Sequence, residues 1–221
     1  MKTSINTAKY ILEKGNLVIF PTETVYGLGG DATNIEAIKK IYDLKKRPVT
    51  NPLICHFKNI SQVKKNFEIK KLDYMLIKLF WPGPLTLILK KKKSSLINSL
   101  LSNNSNLIGC RIPKHKIALD LLKSVNFPIA APSANIATKI SSTQSNHLCK
   151  EFKKNAYIIN GGNSILGLES TVLQTFEKKI KILRLGSITI EEISKKIPKI
   201  KIEIQNWNSK ISPGNKFKHY S

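Results

Sequence analysis

The chain has 221 residues, 41% of them hydrophobic, so it is long enough for one large or two small domains and can bury a core. Its formal net charge is +23, from 37 basic and 14 acidic residues. No run approaches the roughly 18 apolar residues of a membrane span, and the N-terminus lacks an apolar signal core, so we expect a cytoplasmic protein.

Apolar periodicity predicts an α/β chain in which short strands alternate with helices. Gly15 ends the first helix, and Asn34 caps a second helix with one apolar face. The predicted helices are 5–13, 34–44, 72–80, 117–122, 147–152 and 190–197, and the predicted strands are 17–20, 52–57, 85–89, 107–112, 128–131, 157–159, 171–175 and 180–185, the last two as a β pair. We expect one domain over 1–205 and an extended polar tail over 206–221.

The stretch PTETVYGLG at 21–29 follows the first predicted strand. Pro21 cannot continue a central strand, so we expect a loop from there to the helix at 34. Loops at the carboxyl ends of strands form the ligand sites of open α/β sheets. Thr22, Thr24 and Tyr26 alternate and can share one face of an extended segment. A capped turn with ordinary hydroxyl hydrogen bonds is the alternative interpretation.

The basic residues comprise 34 lysines and only three arginines. We interpret the charge mainly as a compositional bias toward Lys, Ile and Asn, although such a field attracts nucleic acid and ATP in a salt-dependent way. Against this background Arg47, Arg111 and Arg184 are informative, because only Arg offers a planar fork for carboxylate or phosphate. We predict that all three bind anions. Retention in surface ion pairs is the alternative for each.

Other motifs indicate no metal and no dinucleotide. Three widely spaced cysteines and four histidines have neither disulfide-framework nor ligand spacing, so we expect no structural metal and a reducing compartment. The GxGxxA pattern starting at Gly27 begins six residues after the strand, which makes a dinucleotide fingerprint weak. Residues 162–167 have Walker A spacing, but Leu168 and Glu169 replace Lys-Ser/Thr, so we reject a P-loop.

Seven stretches in order resemble the YrdC/Sua5 family, the threonylcarbamoyl-AMP synthases. They are PTETVYGLG at 21–29, KKRPVTNPLICH at 45–56, WPGPLT at 81–86, CRIP at 110–113, APSAN at 131–135, LESTV at 168–172 and ILRLGSI at 182–188. The resemblance covers roughly residues 5 to 195. It implies a YrdC-like catalytic domain, with a twisted open mixed sheet and helices around a large basic cavity.

The resemblance also implies an activity. The family's reaction joins L-threonine, bicarbonate or CO2 and ATP into L-threonylcarbamoyladenylate and releases pyrophosphate. The product feeds the t6A modification of tRNA through a separate transferase. Mg²⁺ would arrive with ATP rather than in a protein cage, and any tRNA contact would be weak and electrostatic.

Residue roles follow from the same resemblance. The family's KxR and SxN pairs match four residues that would line the nucleotide and carry activity, namely Lys45, Arg47, Ser133 and Asn135. ATP contacts would come from Arg47, Asn51, Ser133, Ser141, Arg184 and Tyr220, and the threonine pocket from Thr24, His56, Arg111 and Ser170. Arg111 would pair with the substrate carboxylate. Glu23 and Glu169 receive no role beyond capping or orienting a loop.

Two other functions are compatible with the sequence. The charge of +23 suits an RNA-binding module without catalysis, in which Ser133 and Asn135 would be dispensable. The domain also occurs in hydrogenase-maturation carbamoyltransferases, but their acylphosphatase and zinc-finger modules have no counterpart in this sequence. The enzyme is the function that we favour.

The C-terminal residues 212–221 resemble the linker that precedes a second domain in the longer, Sua5-type members. Because they retain Pro213, Gly214, His219 and Tyr220, we predict that this tail folds over the cavity and places Tyr220 against the nucleotide. Such a lid would exclude water from a mixed anhydride. A frayed C-terminus is the alternative.

Overall fold

The structure is a computed structural model that describes residues 2–205, with side chains from residue 4 onward. The helices are α1 Lys2–Glu13, α2 Ile35–Lys45, α3 Ile60–Asn66, α4 Lys71–Phe80, α5 Lys116–Ser124, α6 Lys150–Asn155 and α7 Ile190–Lys196. The strands are β1 Val18–Phe20, β2 Gly27–Asp31, β3 Ile54–His56, β4 Phe67–Glu68, β5 Leu85–Lys91, β6 Leu107–Arg111, β7 Ile129–Ala130, β8 Tyr157–Ile158, β9 Thr171–Thr175, β10 Lys179–Arg184 and β11 Lys201–Ile204. The α/β prediction is confirmed.

One mixed sheet joins the strands of this part of the chain. Its order is β11-β10-β9-β5-β6-β3-β7-β2-β1-β8, with β4 added beside β5. The β3–β6, β5–β9, β1–β8 and β10–β11 pairs are parallel, and the remaining pairs are antiparallel. The mixed sheet predicted from the resemblance is therefore present, and β3 and β6 lie at its centre.

The segment after β1 differs from the prediction of one continuous loop. The chain leaves the sheet at Pro21, as expected, but returns at Gly27 and forms β2, which pairs antiparallel with β1. A Cβ on Gly29 would lie 2.7 Å from Phe20 Cε1 and 2.8 Å from Ile129 Cγ2. The glycines therefore serve close packing inside the sheet, so the GxGxxA pattern is a strand and not a nucleotide loop.

Helix α2 forms as its sequence predicts. The Asn34 side chain accepts hydrogen bonds from the backbone N–H groups of Glu36 and Ala37, which satisfies two donors that the first turn leaves open. The helix ends at Lys45, and the capping residue Lys46 is left-handed with φ of 50°, just before Arg47 and Pro48. This ending sends the chain toward β3 with Arg47 in the connection.

Several elements were not predicted or lie elsewhere than predicted. Helix α3 and strands β4 and β11 come from segments without a clear pattern, and β11 extends the sheet beside β10. The helix expected over 147–152 begins at Lys150, after a short 3-10 turn at Ser145–His147. The β9–β10 pair is antiparallel, as predicted. The predicted tail at 206–221 lies outside the described residues, and the single-domain assignment stays a prediction.

The core lies on both faces of the sheet. A large cluster packs α2, α4 and α7 with β3, β5, β6, β9 and β10, and a second packs α1 and α5 against β1 and β7. Within residues 2–205 no helix is both long enough and apolar enough to cross a bilayer. The layers support a rigid sheet whose central strands carry the polar side chains described next.

Candidate active site

A cleft of about 530 Å³, including its open mouth, lies over β3, β6 and the ends of the neighbouring strands. Its walls come from the segment between β1 and β2, the connection after α2, the turn after β7, the chain just before β9 and the end of β10. It is lined by Thr22, Thr24, Val25, Tyr26, Gly27, Arg47, Pro52, Ile54, His56, Arg111, Ala131, Pro132, Ser133, Glu169, Ser170 and Arg184. All three arginines of the chain therefore line one cavity.

The four residues predicted to form the threonine pocket, Thr24, His56, Arg111 and Ser170, all line this cleft. His56 and Arg111 are direct partners in the parallel β3–β6 register, so their side chains share one face of the sheet. Arg111 Nη1 donates to Thr24 Oγ1 at 2.9 Å, and its Nε donates to the Gly83 carbonyl at 3.1 Å. The Ser170 hydroxyl lies 2.8 Å from Thr86 Oγ1. The four residues that the resemblance assigns to one pocket therefore lie in the same cleft of the structure.

Glu23 is the carboxylate behind this pocket. Its Oε1 lies 2.7 Å from Arg111 Nη2, and the two side chains are almost completely buried. Neither carboxylate oxygen of Glu23 accepts a hydrogen bond from any residue in the described part of the chain, so its contact with Arg111 is an ion pair. Glu23 does not itself line the cleft, so it compensates the charge of Arg111 from the protein side.

His56 is a neutral member of the pocket. Burial and the adjacent Arg111 charge lower its pKa to about 3. Its ring packs edge-on against Phe20, with centroids 6.2 Å apart. Among residues 4–205, its Nδ1 is buried without a hydrogen-bond partner. Because His56 lines the cleft, its neutral imidazole can hydrogen-bond to a ligand without adding charge.

Arg47 also lines the cleft and is held by neutral oxygens. Its Nε donates to the Asn51 carbonyl at 3.0 Å, and its Nη2 donates to Asn51 Oδ1 at 2.6 Å and to the Pro52 carbonyl at 2.9 Å. Burial lowers its pKa to about 10, so it stays charged at neutral pH. Asn51 thus contacts Arg47 directly and orients its fork.

Lys45 does not line the cleft. Its ammonium group is buried and donates to the backbone carbonyls of Ser133 and Asn135 and, at 3.4 Å, to Asn135 Oδ1. Burial and the nearby Arg47 lower the pKa of Lys45 to about 7. The geometry shows Lys45 fixing the loop that carries the SxN pair, whereas its predicted role beside the nucleotide stays a prediction.

The SxN pair is divided between two environments. Ser133 lines the cleft and forms a β-bridge with Gly27. Asn135 is buried outside the lining, where its Nδ2 donates to the carbonyls of Ile136 and Lys139. Ser133 is therefore placed to meet a ligand, and Asn135 stabilises the loop behind it.

Arg184 and Ser141 share a carboxylate. Ser141 Oγ donates to Glu169 Oε1 at 3.0 Å, and Arg184 Nη1 forms an ion pair with Glu169 Oε2. Arg184 also donates through Nη2 to the Ser170 carbonyl at 2.8 Å and to Ser170 Oγ at 3.1 Å. Glu169 lines the cleft between these groups. Sequence reasoning left Glu169 without a partner because nothing in the pattern links it to Ser141.

The structure thus brings together most of the residues predicted for the site. Lys45, Asn51, Ser141 and Asn135 lie just behind the lining, and Tyr220 lies outside the described residues. Sequence reasoning missed the roles of Glu23 and Glu169, and the scarcity of acids in this chain was the available signal. No three His, Cys, Asp or Glu side chains between residues 4 and 205 form a group that could hold a metal ion.

Comparisons with known proteins give a family for this cleft. The sequence model of the Sua5/YciO/YrdC family, which carries the description "Telomere recombination", matches residues 10–186. The chain belongs to this family. The Sua5/YciO/YrdC match spans the whole of the cleft wall from β1 to Arg184.

Relatives in the Sua5/YciO/YrdC family are similar over nearly the whole chain. Threonylcarbamoyl-AMP synthases of Pyrococcus abyssi and Bacillus subtilis are each 41% identical over 98% of this chain, which covers 65% and 64% of those proteins. The crystal structure of P. abyssi Sua5 complexed with L-threonine is 40% identical, with a TM-score of 0.91 over 100% of this chain and 66% of that one. The chain therefore spans just under two thirds of these relatives.

Proposed function

We propose that this protein is an L-threonylcarbamoyladenylate synthase, which converts L-threonine, bicarbonate or CO2 and ATP into threonylcarbamoyl-AMP and pyrophosphate. The observation that carries the proposal is the convergence of Arg47, Arg111 and Arg184 on one cleft. Bringing a carboxylate and a triphosphate together requires concentrated positive charge. Relatives with the name threonylcarbamoyl-AMP synthase support the same reaction.

Threonine would occupy the β3–β6 end of the cleft. Arg111 already donates to Thr24 and to the Gly83 carbonyl, and it lines the cavity, where it would pair with the substrate carboxylate. Neutral His56 and the hydroxyls of Thr24 and Ser170 would bind the polar groups of the amino acid without adding charge. The structure of P. abyssi Sua5 with L-threonine supports the choice of amino acid.

ATP would extend toward Arg47. Within residues 4–205 this guanidinium is oriented by neutral oxygens of Asn51 and Pro52, so these acceptors leave its charge to a polyanion. Ser133 is the neighbouring hydroxyl donor of the lining, and Lys45 holds the backbone of its loop. Ser141 and Arg184, which both contact Glu169 in the free protein, would complete the nucleotide side.

The chemistry needs no protein nucleophile. The threonine amine, once deprotonated, adds to CO2 and gives a carbamate and a proton. A carbamate oxygen then attacks the α-phosphorus of ATP, the bond to the β-phosphate oxygen breaks, and pyrophosphate leaves. The chain's contribution is orientation of the two substrates and stabilisation of the charge that develops on pyrophosphate.

Mg²⁺ would enter with the nucleotide. Glu169, a carboxylate that lines the cleft, contacts Arg184 and Ser141, and the described residues contain no group of three His, Cys, Asp or Glu side chains that could hold a metal ion. Triphosphate oxygens and water would hold Mg²⁺ and supply further charge stabilisation. The product would pass to a transferase for t6A modification of tRNA, and direct tRNA contact would rest on dispersed lysines.

The test is mass spectrometry of the purified protein with ATP, L-threonine and ¹³C-bicarbonate. A product that carries threonine, AMP and one labelled carbon, formed together with pyrophosphate, supports the proposal. Serine and glycine in place of threonine serve as controls for the amino-acid pocket. AMP and pyrophosphate without a labelled adduct in every mixture would reject the proposal.

A further inference from the structure

Two carboxylates contact two of the cleft arginines, but only one of these carboxylates lines the cleft. Glu23 contacts Arg111 and does not line the cleft, so the cavity side of Arg111 is open. Glu169 contacts Arg184 and, like Arg184 itself, lines the cleft, so an anion that approaches Arg184 from the cavity meets a carboxylate beside it. The two ion pairs therefore differ in what an incoming anion meets.

The carboxylate of Glu169 is bound in the way that a ligand anion would be bound. One oxygen accepts from Ser141 Oγ at 3.0 Å, and the other pairs with Arg184 Nη1. We call the Ser141 hydroxyl and the Arg184 guanidinium the anion seat. Its two donors are a hydroxyl and a guanidinium, which suit a phosphate oxygen as well as a carboxylate. Glu169 and Arg184 are both about nine-tenths buried, so bulk water competes little for the seat.

We propose that Glu169 is a specificity-determining residue, which occupies the anion seat in the free protein and yields it to a phosphate chain but not to a carboxylate. A free monocarboxylate gains nothing by replacing an identical group that is tethered beside the seat. A phosphate chain carries more charge and also reaches Arg47, so it can displace Glu169. The amino-acid carboxylate is thereby directed to Arg111, whose cavity side is open.

This inference rests on the proposed function for its substrates, but its test does not need them. The probe is sodium pyrophosphate alone, titrated calorimetrically at low ionic strength into the wild type and Glu169→Gln. Gln keeps the size of the side chain and removes its charge. We expect Glu169→Gln to bind pyrophosphate roughly tenfold more tightly, which corresponds to about 1.4 kcal/mol.

Glu23→Gln is the matched control, because it removes one buried negative charge near the same cleft without opening the seat. We expect much less than the effect of Glu169→Gln on pyrophosphate. Glu169→Asp keeps the charge but shortens the side chain, so it cannot hold Ser141 and Arg184 together as Glu169 does. An intermediate gain in affinity with Asp would show that occupation of the seat matters, apart from net charge.

Selectivity is measured by replacing chloride with acetate at constant ionic strength. In the wild type this exchange should leave pyrophosphate binding unchanged, and in Glu169→Gln acetate should compete. Equal or weaker pyrophosphate binding by Glu169→Gln, equal gains in both Gln variants, or no binding by any variant would overturn the inference. Because no nucleotide or threonine is present, the result is separate from the mass-spectrometric test of the proposed function.

Discussion

Arg111 and Glu23 form an ion pair in which Nη2 and Oε1 are 2.7 Å apart and only 4% and 7% of the two side chains are exposed. Because Glu23 does not line the cleft and Arg111 does, the side of the guanidinium toward the cleft remains for a ligand. Fixing a charged group before its ligand arrives lowers the ordering cost of binding. The pair therefore links the stability of the fold to recognition of the proposed substrate.

Arg111→Ala should raise the threonine requirement far more than the ATP requirement. Loss of a bidentate carboxylate contact costs on the order of 2–5 kcal/mol. Steady-state kinetics with each substrate varied in turn measures the two effects. An equal loss for both substrates would show that Arg111 does not belong to the threonine pocket.

The same substitution should also destabilise the fold, because it leaves Glu23 buried without a counter-ion. The cost of breaking one side of such a pair is about 3–5 kcal/mol. Adding Glu23→Gln to Arg111→Ala should recover much of this free energy of unfolding, as measured by urea denaturation. A double variant that is no more stable than Arg111→Ala would contradict the pairing.

Arg47→Lys should nearly abolish product formation while the fold is kept. Three acceptors, two on Asn51 and one on Pro52, position the planar fork, and an ammonium group cannot bond to all of them and a phosphate together. Product is measured by mass spectrometry and the fold by thermal unfolding. Lys46→Arg is a neighbouring exposed control that should retain activity. Wild-type turnover by Arg47→Lys would remove Arg47 from the mechanism.

Lys45 predicts a pH-dependent stability. Its pKa is lowered to about 7 in the folded protein, whereas an unfolded lysine has a pKa near 10.4. Between these values the unfolded chain binds the extra proton, so the free energy of unfolding should rise with pH from about 7 to about 10. Urea denaturation across this range should show the rise in the wild type and a smaller one in Lys45→Met. Parallel curves for the two proteins would contradict the lowered pKa.

Gly29→Ala should destabilise the sheet by about 1–3 kcal/mol, the usual cost of overpacking a core. Its Cβ would lie 2.7 Å from Phe20 Cε1, which leaves no room in the sheet. Gly27→Ala in the same strand is the control, because its Cβ would make contacts of 3.4 Å and longer. Equal free energies of unfolding for the two variants would show that close packing does not explain Gly29.

Strand β2, which is rich in glycine, also shows why part of the fold could not be predicted. Helix α2 has a capping Asn34 and a helical apolar period, so local sequence was sufficient. Strand β2 has no β-branched residue, and the small size of its glycines makes sense only once Phe20 and Ile129 are known to pack on it. That information is tertiary and does not appear in a local pattern.

The candidate site divides in the same way. Side chains with distinctive chemistry, such as the fork of Arg47, were predicted from composition alone because lysine is the default cation in this chain. The roles of Glu23 and Glu169 could not be predicted, because each role depends on which arginine the carboxylate contacts and on whether the carboxylate lines the cleft. Lys45 was expected in the cleft, and only the structure shows that its ammonium is engaged by backbone carbonyls.

The pairing of β3 with β6 places Cys55 beside Cys110 and, one residue later, His56 beside Arg111. The two free cysteines belong to the apolar core, and His56 and Arg111 line the cleft. Deleting a single residue within either strand would exchange the two faces, so a cation would enter the core and a thiol the cavity. Insertions and deletions should therefore be tolerated in the connections between these strands. Within β3 or β6 they should destroy the candidate site.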